Sequence, residues 1–67
     1  MWIKTINTGS VNSNNVSMLG VSSNTTKMGK FRVIAKTVDG ETHYLTDEIN
    51  GEDAQNVYNS LLNKLQS

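Results

Sequence analysis

The chain has 67 residues, no cysteine or proline, and a formal net charge of zero, six Lys and Arg against six Asp and Glu. Its length makes one domain. The lack of cysteine excludes disulfide staples and cysteine-based metal sites, and zero net charge argues against general nucleic-acid binding, which rests on clustered cations that neutralise phosphates. No apolar run is long enough to span a membrane. The opening Met1-Trp2-Ile3-Lys4-Thr5 lacks the layout of a secretory signal, so the expected location is the cytoplasm. A chain this short buries only about 60% of the surface exposed on unfolding. Unstapled domains of this size often gain stability by self-association, so length alone points to a homodimer.

In chain order, residues 2–7 form the first strand candidate. Trp2, Lys4 and Ile6 share one face and Ile3 and Thr5 the other, and a Trp this near a terminus is expected to be covered by being pinned into the sheet. Residues 8–29 are dominated by Ser, Asn, Thr and Gly, with Lys27 the one charged residue. Val16, Met18, Leu19 and Val21 make an apolar island there, and residues 15–22 are read as a second strand. The alternative is a long mobile loop, although a structureless connection of this length is uncommon in a small domain.

Residues 30–38 are the strongest strand signal. Asp39-Gly40 then reads as a two-residue hairpin turn, with residues 41–47 as the returning strand. A two-residue turn pairs Val38 with Glu41, Lys36 with His43, Ile34 with Leu45, and Arg32 with Asp47 as a cross-strand ion pair. Phe31, Val33, Ala35 and Tyr44 then form one apolar face, suited to a helix. Ile34, Val38 and Leu45 lie on the opposite face among Arg32, Lys36 and His43. A sheet apolar on both sides points to a second cover, so Ile34, Val38 and Leu45 are the candidate partner interface.

Residues 51–65 read as one amphipathic helix. Ala54, Val57, Tyr58, Leu61, Leu62 and Leu65 recur at the 3.6-residue period. Asn50 is the N-cap candidate, and Asp53 stands at the capping-box position. Glu52 and Asp53 suit the positive end of the helix dipole and Lys64 the negative end. A helix of this length is marginal alone, so its stability depends on burying the Val57–Leu61–Leu65 stripe.

No catalytic constellation is legible. His43, the lone histidine, reads as a partly exposed strand residue. The acids Asp39, Glu41, Asp47, Glu48, Glu52 and Asp53 sit in turns and at the helix start, where they serve local roles, and lack the spacing of a calcium loop. No nucleophile has a His–acid pair beside it, and no cofactor or metal site is indicated. Lys27, Lys30, Arg32 and Lys36 cluster in one segment. They are either neutralised across the hairpin or are candidate contacts to nucleic-acid phosphates, with aromatic rings as stacking surfaces.

The opening Met-Trp-Ile, the strand Phe31–Val38 running into Asp39-Gly40, the Tyr44-Leu45 pair and the helix with Ala54-Gln55 and Leu61–Leu65 together resemble a loose group of small bacterial and phage-borne proteins. The likeness covers both ends of the chain and not the polar middle. It implies a β-meander with one C-terminal helix and no particular activity. The strand–helix order is also similar to the positive-cofactor and Whirly type of single-stranded DNA-binding domain, which dimerises through its helix. This chain departs from that type in being neutral and lacking a basic strand face.

The resulting expectation is an α+β domain: a four-stranded antiparallel meander followed by one C-terminal helix on one sheet face. It is expected to act as a homodimer through the second sheet face or the helix, as a non-enzymatic protein-interaction module of phage or mobile-element origin. The alternative is weak single-strand nucleic-acid binding.

Overall fold

A computed structural model of the protein describes residues 1–66. The elements are β1 (Trp2–Lys4), β2 (Ser10–Asn12), a 3-10 turn (Ser13–Asn15), β3 (Val16–Ser22), β4 (Lys30–Thr37), β5 (Thr42–Tyr44), β6 (Ile49–Asn50) and α1 (Gly51–Gln66). The main sheet is four-stranded and antiparallel, in the order β3–β4–β5, with β6 also paired to β4. Helix α1 packs against β3, β4 and β6. The α+β architecture, with a meander and one C-terminal helix on the sheet, is the one indicated by the apolar periodicities.

The membership of the sheet differs from the expected one. Residues 2–7 yield only β1, which pairs with β2 in a separate hairpin, Ile3 opposite Val11. Gly9, at φ 94°, closes its turn, and the Thr5 N–H donates to the Gly9 carbonyl at 3.0 Å. The polar middle is therefore structured, and Val11 is a buried strand residue. Trp2 is not covered: its neighbour Ile3 takes the buried side of β1, which leaves the indole 68% exposed.

The larger correction is the β4–β5 register. The pairs are Ile34–Tyr44, Ala35–His43 and Lys36–Thr42, one residue away from the two-residue-turn pairing. A two-residue Asp-Gly turn of the usual hairpin kind needs positive φ at both central residues. Here only Gly40 adopts it, at 89°, and no non-glycine residue does among those described. The loop is therefore Val38-Asp39-Gly40. The Gly40 N–H donates to the Thr37 carbonyl at 3.0 Å, and the Thr37 N–H to the Glu41 carbonyl at 3.0 Å. That is a three-residue hairpin with glycine at the left-handed position. Thr37 reinforces it, its hydroxyl bonding the Asp39 carboxylate and accepting from the Glu41 N–H at 3.1 Å.

A one-residue slip exchanges the two faces of a strand. On β5 it carries His43 and Leu45 to the inner face and Tyr44 to the outer one. The inner face thus presents Val33, Ala35 and Thr37 with His43 and Leu45. The helix covers one end of this face and the β1–β2 hairpin the other. The Leu45 N–H donates to the Val33 carbonyl at 2.8 Å, which places those two opposite each other.

His43 is buried rather than partly exposed. Its Nδ1 lies 2.7 Å from the Thr8 hydroxyl, which lies 2.8 Å from the Thr5 hydroxyl, and its Nε2 is 3.4 Å from the Glu41 carboxylate. A carboxylate can only accept, so Nε2 presents its proton to Glu41, and in the neutral ring Nδ1 then accepts from the Thr8 hydroxyl. The chain fastens the hairpin turn to the sheet, and the turn also seals the free edge of β5. The Ile6 N–H donates to the Tyr44 carbonyl at 2.8 Å, while Asn7 accepts from the Tyr44 N–H at 2.9 Å and donates to the Thr42 carbonyl at 3.4 Å.

Strand β6 runs into α1 without a loop. Asn50 caps the helix, its Oδ1 accepting from the Asp53 N–H at 2.8 Å, and its Nδ2 donates to the Asp53 carboxylate at 3.0 Å. Gly51 lets the Phe31 ring lie against the first turn, since a Cβ there would stand 3.1 Å from the ring.

Gly40→Ala is expected to destabilise the protein by about 1–2 kcal/mol, the penalty of a left-handed Cβ, seen as a lower urea midpoint. An unchanged midpoint would mean that the register does not depend on this turn.

Candidate functional site

The slip in register redistributes the candidate residues. Ile34 stays on the outer face, between Gly20 of β3 and Tyr44 of β5. Val38 lies in the hairpin loop, 73% exposed. Leu45 is on the inner face, in a groove of about 640 Å³ between β1 and α1 that also touches Met1, Trp2, Ile3, Val57 and Leu61. Ile34, Val38 and Leu45 therefore do not form one interface. The expected pairing placed them together because it reversed β5.

The basic residues converge instead, which corrects the expectation that the chain lacks a basic strand face. Lys30, Arg32, Ile34 and Lys36 alternate along β4, so all four side chains rise on the outer face. Met18, Gly20 and Ser22 flank them on β3, and Thr42 and Tyr44 on β5. His43, which the expected register put among them, is on the other side. Among the described residues the helix and the β1–β2 hairpin lie on the other face, and the strand positions of this one carry no carboxylate. Arg32 lies over Tyr44, its guanidinium carbon 4.5 Å from the ring centroid, in place of the expected ion pair with Asp47. This is a cation–π contact. Arg32 Nε is buried with no hydrogen-bond partner among the described residues.

Lys27 stands in the loop between β3 and β4, which is tied down by an acid. The Glu48 carboxylate accepts from the Thr26 hydroxyl at 2.5 Å and from the Thr26 N–H at 3.0 Å. These bonds hold the Glu48 carboxyl below the ordinary glutamate value of 4.5, and the charges of Arg32 and Lys27 add to the effect. Asp39 is lowered likewise, first by its bond from the Thr37 hydroxyl.

Lys30, Arg32 and Lys36 were legible as sharing a face from the alternation of β4, with Lys27 near them only in sequence. Tyr44 was not legible as their companion, because its face depends on the Asp39-Gly40 turn, nor was Met18, whose face depends on the β3–β4 register. The Thr8–His43–Glu41 chain joins residues 35 positions apart, and no local signal marks it. Among the described residues, no three His, Asp or Glu side chains gather as a metal-binding group, so Asp47, Glu48, Glu52 and Asp53 do not converge on a cation site. No helix is long and apolar enough to cross a membrane among those residues. Comparison of the chain with protein-family models, with curated proteins and with solved structures gives no match.

The lowered carboxyl of Glu48 sets a pH window for the loop. Its stabilising contribution is complete above 4.5 and is lost as pH falls through the lower folded value. The Thr26 amide resonance is therefore expected to titrate with a midpoint below 4.5 and to stop doing so in Glu48→Gln. A midpoint at or above the ordinary value would show that the tie is not formed in solution.

Proposed function

We propose that the protein is a small non-enzymatic interaction module that acts as a homodimer. The observation that carries this reading is the size of its core. Among the described residues the buried apolar side chains are Ile3, Val11, Val33, Ala35 and Ala54, two of them alanines. Val57, Tyr58, Leu61, Leu62 and Leu65, the stripe on which the helix depends, are only half-buried. Trp2, Ile6, Met18, Val21 and Val38 are exposed. Full burial of one such side chain contributes about 1.5–3 kcal/mol, so much of the stabilisation available to this sequence waits for a contact outside the single chain. Sedimentation equilibrium is expected to give a dimer, with a melting temperature that rises with protein concentration. A monomer whose melting is independent of concentration would overturn the reading.

A second reading, single-strand nucleic-acid binding, is favoured by the convergence of Lys30, Arg32 and Lys36 beside Tyr44 on an open face, with Lys27 in the loop near Glu48. Such a surface offers phosphate contacts together with an aromatic ring and a guanidinium beside it. A labelled oligonucleotide is expected to bind at low salt and to be released as salt rises, and Lys36→Gln should lower the logarithmic salt slope by about 0.7. No binding at low salt removes this reading.

A further inference from the structure

The two edges of the main sheet are treated differently. The β5 edge is three residues long and is sealed by Ile6 and Asn7. The β3 edge is seven residues long and, among the described residues, pairs only with β4. It carries none of the devices that keep an edge from pairing: its sequence, Val-Ser-Met-Leu-Gly-Val-Ser, has no charge and no proline, and its one bulge lies at the start, between Val16 and Met18.

Which backbone groups of this edge are free follows from the hairpin. The Val33 and Thr37 backbones bond towards β5, so the even-numbered residues of β4 bond towards β3. The Val38 N–H does so, donating to the Asn15 carbonyl at 2.9 Å. The partners of those even residues, Met18, Gly20 and Ser22, therefore turn their amides inward, and the amides of Leu19 and Val21 point out of the sheet.

We infer that β3 is the dimerisation edge: two copies join β3 to β3 antiparallel, about a two-fold axis beside Gly20. This rests on the self-association proposed above and names the surface responsible for it. In this register Leu19 of one copy lies opposite Val21 of the other, twice. Each such pair exchanges N–H to carbonyl bonds in both directions, using the groups that the single chain leaves free. Glycine meets glycine at the axis, where the strands of a non-hydrogen-bonded pair come closest. Val21, exposed in the single chain, gains an apolar neighbour in Leu19, and no like charges meet along the strand. A second copy suits this edge because its own β3 is the complementary piece: extended, uncharged beyond the bulge, with the same spacing of free amides.

The test uses the full chain. Val21→Pro removes an N–H that makes no bond within the single chain, and an edge strand tolerates proline where its N–H faces outward. We expect dimerisation weakened about tenfold or more, from the loss of an interchain bond in each copy, with circular dichroism unchanged. A wild-type dimer whose Val21→Pro variant folds and dimerises equally well overturns the edge and leaves the dimer standing. A wild-type monomer at high concentration overturns both, and the edge would then be left for a strand of another protein. Amide exchange of the wild type decides the matter should the variant not fold. Slow exchange at Leu19 and Val21 that speeds up on dilution supports β3 pairing, and fast exchange there in a proven dimer overturns it.

Discussion

The left-handed backbone at Gly40 fixes which residues this protein shows to its surroundings. Because only the glycine of Asp39-Gly40 takes positive φ, the hairpin loop holds three residues instead of two, and β5 pairs with β4 one position along. That single step decides that His43 is fastened in the interior, that Leu45 joins Val33 under the helix side, and that Tyr44 stands outside beside Arg32. With the other register the outer face would mix an imidazole and a leucine among the cations. With this one it is a strip of Lys30, Arg32 and Lys36 around Ile34, with Arg32 over the Tyr44 ring.

The same step forces a polar arrangement into a small interior. A buried imidazole needs partners for both nitrogens, and they come from Thr8 and Glu41. The hairpin that supplies Thr8 also supplies Ile3 and Val11 to the core. Polar and apolar contacts therefore depend on the same docking: if the β1–β2 turn lifts, His43 loses its hydroxyl partner while the inner face loses its cover. The helix is less committed. Its cap and its Gly51–Phe31 contact fix where it starts, yet its leucines are only half covered.

The helix was legible in the sequence because a 3.6-residue stripe, a cap and an acidic first turn all agreed over sixteen residues. Strand β4 was legible from its length and alternation, and with it the shared side of its basic residues. Strands β2 and β6 were not, since three and two residues are too few for a period to show. The register was not legible either: Asp-Gly suits both a two-residue and a three-residue loop, and the choice lies in the φ of Asp39 and in the grip of Thr37 on the turn. The face assignments of Leu45, Tyr44 and His43 all followed from that choice, so one misread turn separated the expected Ile34–Val38–Leu45 interface into three places.

The seal that Ile6 and Asn7 place along β5 would limit an assembly built through the β3 and β5 edges. A sheet with two open edges can accept a neighbour on each side and so grow without end into a fibre. A sheet with one open edge and one closed edge is a unit of valence one: after a single pairing it has nothing left to offer. The two hydrogen bonds between Asn7 and β5, with the one from Ile6, then act as a terminator, and a chain that lost them would become a bivalent monomer able to polymerise.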